Sequence, residues 1–329
     1  MKTGVLQFFS WQQSRVPLET VYERALQRIE IMDQTGYDAV WLAEHHFHRF
    51  SVCPSVHMMG THVAARTQRL RIGTAVTLAP FYHPLRIAEE IALLDVLSGG
   101  RVNWGAGRGF DPVEFRVFEV PGEESTDRFR EAVDTVLEAW RSPRVSHHGR
   151  YFNFDDVEVL PRPAQDPHPP VWVAATSDPA IEWAATEGHT IMLDPHSTHT
   201  SIAAKREKYR TELEKNGHSF AGREIPMARL LAVAETMEKA EAVASAGAQW
   251  IVDSYVSSAR KNVGGISVDP TQDPVARYLD GIVIYGTPES VIDDIQRLQD
   301  EMFLDYLLCA PLSHETFMLF TDKVLPKVS

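Results

Sequence analysis

Short apolar runs alternate with amphipathic helical patterns along the whole chain, and this rhythm constrains the fold more than any other feature. Gly4 to Phe9 reads as a buried strand, and Leu18, Val21, Tyr22, Ala25, Ile29 and Met32 follow at helical spacing to a stop at Gly36. Tyr37 to Leu42 is the next apolar run. Leu70 to Leu78 and Val102 to Gly105 read as two further strands, with an amphipathic helix from Pro84 to Leu97 between them. The pattern is strongest from Thr126 to Trp140, where Phe129, Ala132, Val133, Val136, Leu137 and Trp140 fall at i, i+3, i+4, i+7, i+8 and i+11. Val171 to Ala175, Thr190 to Leu193, Met227 to Ala234 and Asp305 to Cys309 complete eight strand candidates. Strands alternating with helices indicate an α/β protein with a parallel sheet, and eight of them suggest one (β/α)8 TIM barrel over residues 1–329. A doubly wound open sheet has the same periodicity and stays open as the rival.

Two stretches break the rhythm. Residues 143–170, rich in Pro, His and Asp, read as a long excursion before the fifth strand. Residues 258–280, rich in Gly, Pro and polar residues, are longer than a connector needs and are expected to form a mobile lid.

Charge and cysteine usage narrow the partners. A net charge of −13 argues against nucleic acid or an anionic membrane, because both require a basic field; an anionic ligand would need its own local cationic pocket. Cys53 and Cys309 stand far apart with no CxxC spacing, which argues against a disulfide framework or structural zinc and fits a reducing compartment. The N-terminal apolar run is too short for a signal peptide and no run of 18 apolar residues occurs, so a cytoplasmic protein is expected.

In a barrel the loops at the carboxyl ends of the strands build the active site. Just past the second strand stands AEHHFH, with Glu44, His45 and His46. Three readings compete: solvated loop histidines, a metal site needing help from His83, His189 or His196, and a general acid or base in an aromatic, water-poor wall. Histidine suits the last through its pKa near ~6.5, and metal sites in barrels draw ligands from several strand ends, so acid–base work is preferred and no metal is expected.

The fourth strand ends in NWGAGRGF. Gly105, Gly107 and Gly109 permit close backbone approach to a ligand, and Arg108 supplies a fixed positive charge. The GxGxG spacing is not a dinucleotide fingerprint, and the next helix is expected only near Thr126. Arg128, in the first turn of that helix, opposes the helix dipole unless an anion is present. After the fifth strand, ATSDPAIEWAA begins a helix with Pro179 at its first position and Asp178 as N-cap, leaving the Ser177 hydroxyl and first-turn amides for an anion unless the Asp178 charge fills that place. Two arginines and a helix start are thus expected to converge on one phosphate.

AEHHF, TAVTLAPFYHPLRIAEEIALLDVLSGGR, GAGRGFDPVEFRVF, SDPAIEWAA, DSYV and YGTPESVIDDIQRL, in this order and spacing from about Met1 to Leu325, resemble the bacterial luciferase-like flavin monooxygenases. The resemblance implies a single barrel that binds reduced FMN at the carboxyl end, with the phosphate near Arg108, Arg128 and Ser177. It places Phe110, Ala175 and Thr176 at the cofactor. His45 matches the acid or base beside the flavin ring, Glu44, His46 and His83 match positions that line or support the site, and Ala75 and Val76 match a pair joined by a non-prolyl cis peptide. Departures are Gly107 in place of a reactive cysteine, expected to widen the pocket, Thr176 in place of a glutamate and Ala180 in place of a threonine, so a long aldehyde substrate is not carried over.

The implied function is a two-component flavin-dependent monooxygenase. Reduced FMN comes from a separate flavin reductase, since no nicotinamide fingerprint is visible, and O2 reacts to a peroxyflavin that oxygenates a small organic substrate. A homodimer, or a heterodimer with a related subunit, is implied as well. The rivals are a deazaflavin-dependent oxidoreductase of the same fold, a metal-dependent barrel hydrolase and a non-catalytic flavin-binding protein, the last disfavoured by the presence of His45.

Overall fold

The computed structural model describes residues 1–12, 16–256 and 272–328. In chain order the elements are β1 Lys2–Gln7, α1 Leu18–Gln34, β2 Ala39–Leu42, α2 Val56–Ala64, β3 Arg71–Thr74, β4 Thr77–Leu78, α3 Pro84–Ser98, β5 Val102–Gly107, α4 Pro112–Val117 and α5 Ser125–Arg141. A hairpin of β6 Val145–His148 and β7 Asn153–Val157 precedes β8 Val171–Ala174, α6 Asp178–Thr186, β9 Thr190–Met192 and α7 His199–Lys215. The last part holds β10 Pro226–Val233, α8 Met237–Ile251, α9 Pro274–Gly281, β11 Val283–Gly286, α10 Pro288–Met302, β12 Tyr306–Pro311, α11 His314–Leu319 and α12 Leu325–Val328.

Ten parallel strands make one curled sheet in the order β11-β10-β12-β1-β2-β3-β5-β8-β9, with β4 beside β5. Past the end of β9, the Leu193 N–H donates to the Pro226 carbonyl at 2.9 Å and the Leu193 carbonyl accepts from the Ala228 N–H at 3.0 Å, so the β9 end meets β10. Both faces of the strands are covered, which is why they read as near-continuous apolar runs. One face packs on the helices: Ile29 and Met32 of α1, Ile91 of α3 and Val133 and Val136 of α5 are buried there with Val40, Val173 and Leu307. Alternate strand residues pack inside the curl, where Trp41 meets Trp172 edge to face at 5.2 Å and donates its indole N–H to the Tyr306 hydroxyl at 3.1 Å. Gly73 makes room for that indole, since a Cβ there would lie 2.4 Å from the Trp41 ring.

Helix starts follow local chemistry. Ser55, Thr198, Thr236 and Thr287 each accept a backbone N–H three residues on, a cap contributing typically ~1 kcal/mol.

Four expectations gain detail from the structure. The run Leu70 to Leu78 is two strands, β3 and β4, interrupted at the cis Ala75–Val76 peptide. A helix, α4, opens five residues after Gly107, well before Thr126, with Pro112 at its start and the Asp111 carboxylate accepting from the Val113 N–H at 2.8 Å. The excursion 143–170 carries the antiparallel hairpin β6–β7, whose turn is held by the Glu131 carboxylate through the Arg150, Tyr151 and Phe152 amides. Of the stretch expected to be a lid, residues 258–271 lie outside the described residues, and Pro274–Gly281 is helix α9, capped by Asp273 and buried through Tyr278. Among the described residues no helix is long and apolar enough to cross a membrane.

Candidate active site

The loop leaving β2 is pinned from both sides. His45 donates its backbone N–H to the Cys53 carbonyl at 3.2 Å, and the Ser51 hydroxyl, itself accepting from the Phe9 N–H, donates to the Ala43 carbonyl. This places the His45 ring among Phe8, Phe50 and Phe110, with ring centroids 6.3, 5.4 and 6.3 Å away.

Each histidine of the stretch meets a different carboxylate. His45 Nδ1 lies 3.7 Å from Glu114 Oε1, His46 Nε2 lies 3.0 Å from Glu44 Oε1, and His48 Nε2 lies 3.0 Å from Asp111 Oδ2. Glu44, expected to line or support the site, serves His46 and accepts from the Tyr82 hydroxyl at 2.9 Å, while His45 faces Glu114. The physical reason is direction: Glu44 is only 2 % exposed and its side chain turns inward from the loop, whereas the first turn of α4 brings Glu114 over it. Glu114 is buried too, and it gains a charge-assisted bond from the His46 N–H at 3.0 Å.

His83 is set apart. It is exposed at the start of α3, where Nδ1 accepts from the Leu85 N–H, and its ring packs on Phe152 and Phe154 of the hairpin. Its neighbour Tyr82 is the residue that reaches Glu44. His189 and His196, considered above as metal helpers, are both pushed down to about 4, first by burial; His196 pairs through Nδ1 with the Tyr278 hydroxyl at 2.9 Å. Among the described residues no group of three or more His, Cys, Asp or Glu side chains is arranged to hold a metal ion.

Ala75 and Val76, joined by the cis peptide, are partly exposed between buried neighbours at the carboxyl end of the sheet. Gly107 does not widen the space beside them as expected: a Cβ there would lie 2.3 Å from Val76 Cγ2, so the valine already occupies it. Arg108 follows, half-buried, its Nη1 donating to the Ser125 hydroxyl at 3.1 Å at the start of α5, and burial lowers its pKa. Among the described residues no carboxylate forms an ion pair with it.

Arg128 lies one turn into the same helix. Its Nε and Nη2 both reach Glu124 at 2.9 Å, and its guanidinium stacks 4.4 Å over the Tyr151 ring. Ser177, not Asp178, is the N-cap of α6; Asp178 is the first helical residue and turns outward to Lys208 at 3.0 Å, so its charge does not fill the helix start. Buried Ala175 and partly buried Thr176 lead into that start. The two helices adjoin through Phe129 and Trp183, 5.5 Å between rings. Arg108 and Arg128 are thus brought to one helix start and Ser177 to the next.

Residues 1–304 match the family model of the luciferase-like monooxygenases. The chain belongs to the luciferase-like monooxygenase family. Its fold superposes on monooxygenase RslO1 from Streptomyces bottropensis with a TM-score of 0.87 and 27 % identity over all of both chains. The oxygenase component of the flavin-dependent trigonelline monooxygenase of Acinetobacter baylyi is 29 % identical over 229 residues, covering 68 % of this chain and 63 % of that one. An uncharacterized protein of Sinorhizobium fredii is 40 % identical over 170 residues, and this chain spans 50 % of its length.

Proposed function

We propose that this luciferase-like protein is the oxygenase component of a two-component flavin-dependent monooxygenase, built as one (β/α)8 barrel unit over residues 1–329. It would receive reduced FMN from a separate flavin reductase and use O2 to oxygenate a small organic substrate, acting as a homodimer or with a related subunit.

The observation that carries this reading is Arg108. In a chain of net charge −13, a half-buried guanidinium that donates to the Ser125 hydroxyl is suited to an anionic group, and it stands at the start of α5 where a phosphate is favoured. Arg108, Arg128 and Ser177 would hold the phosphate, with Ala75, Val76, Gly107, Phe110, Ala175 and Thr176 lining the rest. FMN is preferred over a deazaflavin on the luciferase-type sequence blocks and on the flavin-dependent relative. Bound reduced FMN supplies the electrons that activate O2. The chain's own part is acid–base work and dryness: the His45 imidazole receives or gives a proton at a ring nitrogen, Glu114 orients it, and Phe8, Phe50 and Phe110 exclude water. Glu44, His46 and Tyr82 hold the loop that carries His45.

Reduced FMN and reduced riboflavin, titrated anaerobically into wild type and Arg108→Ala, test this. FMN should weaken by ~1.5–3 kcal/mol, the range of a charged hydrogen bond, and riboflavin should hardly change. Equal losses for the two ligands would remove the phosphate assignment.

A further inference from the structure

A cavity of 480 Å³, which reaches Phe8 and Phe50 but is not lined by His45 itself, runs between β1, α1, α8 and the start of α11, within the size range of small-molecule sites. Its inner wall includes partly buried Phe8 and buried Phe50, the same rings that flank His45. Its solvent-facing wall carries Arg24, Arg28 and His314.

The two arginines are an i, i+4 pair on one face of α1, together with Val21 and Ala25, which line the same cavity. Like charges at this spacing repel. Burial lowers the Arg28 pKa, Glu315 counters that, and Arg24 adds to the lowering. Among the described residues neither guanidinium forms an ion pair with a carboxylate. Glu315 lines the cavity as well, but it is exposed and its charge is engaged first by its own backbone N–H and by Ser313. Arg28 Nε donates to His314 Nδ1 at 3.2 Å, which leaves the ring proton on Nε2. Burial and the two arginines keep His314 below its ordinary pKa, hence neutral near pH 7, with Nε2–H a donor. Three donors and a doubled positive charge therefore border a chamber of mixed lining, polar at Gln7, Ser10 and Gln12 and apolar at Phe8, Trp250 and Leu312, in an acidic protein.

We propose that this cavity is the substrate chamber and that it takes an organic carboxylate, its anionic end held by Arg24, Arg28 and His314 and its apolar body directed along Trp250 and Leu312 toward Phe8 and Phe50. The inference rests on the oxygenase reading, because the end remote from the carboxylate is then the one that reaches the Phe8 and Phe50 rings packed on His45.

Phenylbutyrate and its uncharged isostere phenylbutyramide, titrated calorimetrically into the full chain without flavin, form the test. The acid should bind ~10- to 100-fold more tightly than the amide, the factor expected of a charged hydrogen bond. Combining Arg24→Gln with Arg28→Gln should bring the acid to the amide's level while reduced FMN binds as in wild type. Arg24→Gln alone, at an exposed position, should lose part of the preference and guards against a folding defect at Arg28. No preference for the acid, failure of both probes to bind, or a preference that survives the double substitution overturns the proposal. Should the acid preference hold while reduced FMN fails to bind wild type, the oxygenase reading falls and the anion chamber stands.

Discussion

The Glu114 carboxylate lies 3.7 Å from His45 Nδ1 while accepting the His46 N–H at 3.0 Å, so one buried acid from α4 both faces the His45 imidazole and fixes the backbone beside it. Glu114→Gln retains an oxygen for the His46 N–H and removes the charge. Product formation should fall ~10-fold or more with reduced FMN affinity nearly unchanged, as part of the ~10²- to 10⁴-fold that a general acid or base contributes. Glu114→Ala also leaves the buried His46 N–H unpartnered and should destabilise by ~1–3 kcal/mol in denaturant melts.

Val76 fills the place where a side chain on residue 107 would begin, at 2.3 Å from Cγ2. Gly107→Ala should therefore displace Val76, cost ~1–3 kcal/mol of stability and weaken flavin binding, as overpacking of a tight site does. Gly122→Ala, with nothing within 4 Å of its Cβ, is the control and should be close to neutral.

Arg128 spends its charge on Glu124 and its face on Tyr151, whereas Arg108 has a hydroxyl. Arg128→Ala should thus weaken reduced FMN less than Arg108→Ala does, by up to ~1 kcal/mol, because a competing carboxylate already neutralises it. Parallel titrations of the two variants decide the order.

Three imidazoles are kept neutral chiefly by burial: His189 and His196 at about 4 and His199 at about 3. The unfolded chain protonates them near ~6.5, so between those values it binds more protons than the folded chain. Their contribution to stability is fully present above ~6.5 and is lost as pH falls toward ~4. Denaturant midpoints should drop steadily through that window, and His196→Gln should flatten the drop.

What was legible in the sequence follows from how local each signal is. Most strands showed as apolar runs because both sheet faces are covered, though β11, only four residues long, did not, and α5 showed because its 17 residues repeat the helical stripe several times. Helix α4 has six residues, too few for periodicity, and only the Asp111–Pro112 start announced it; Asp273–Pro274 did the same for α9. Missing α4 meant missing Glu114 and Asp111 as partners of His45 and His48. His45 itself, Arg108 and Ser177 could be placed because each stands just past a strand. Arg28 and His314 touch across 286 positions, and no local pattern joins residues so distant.

Anaerobic protein loaded with photoreduced FMN, then mixed with isotope-labelled O2 and a panel of organic acids and ketones, tests the proposed oxygenase function most directly. One labelled oxygen atom should appear in an organic product, hydrogen peroxide should fall in proportion, and His45→Ala should return the yield to peroxide by ~10²-fold or more. Complete conversion to peroxide with every compound, alike in wild type and His45→Ala, would contradict it.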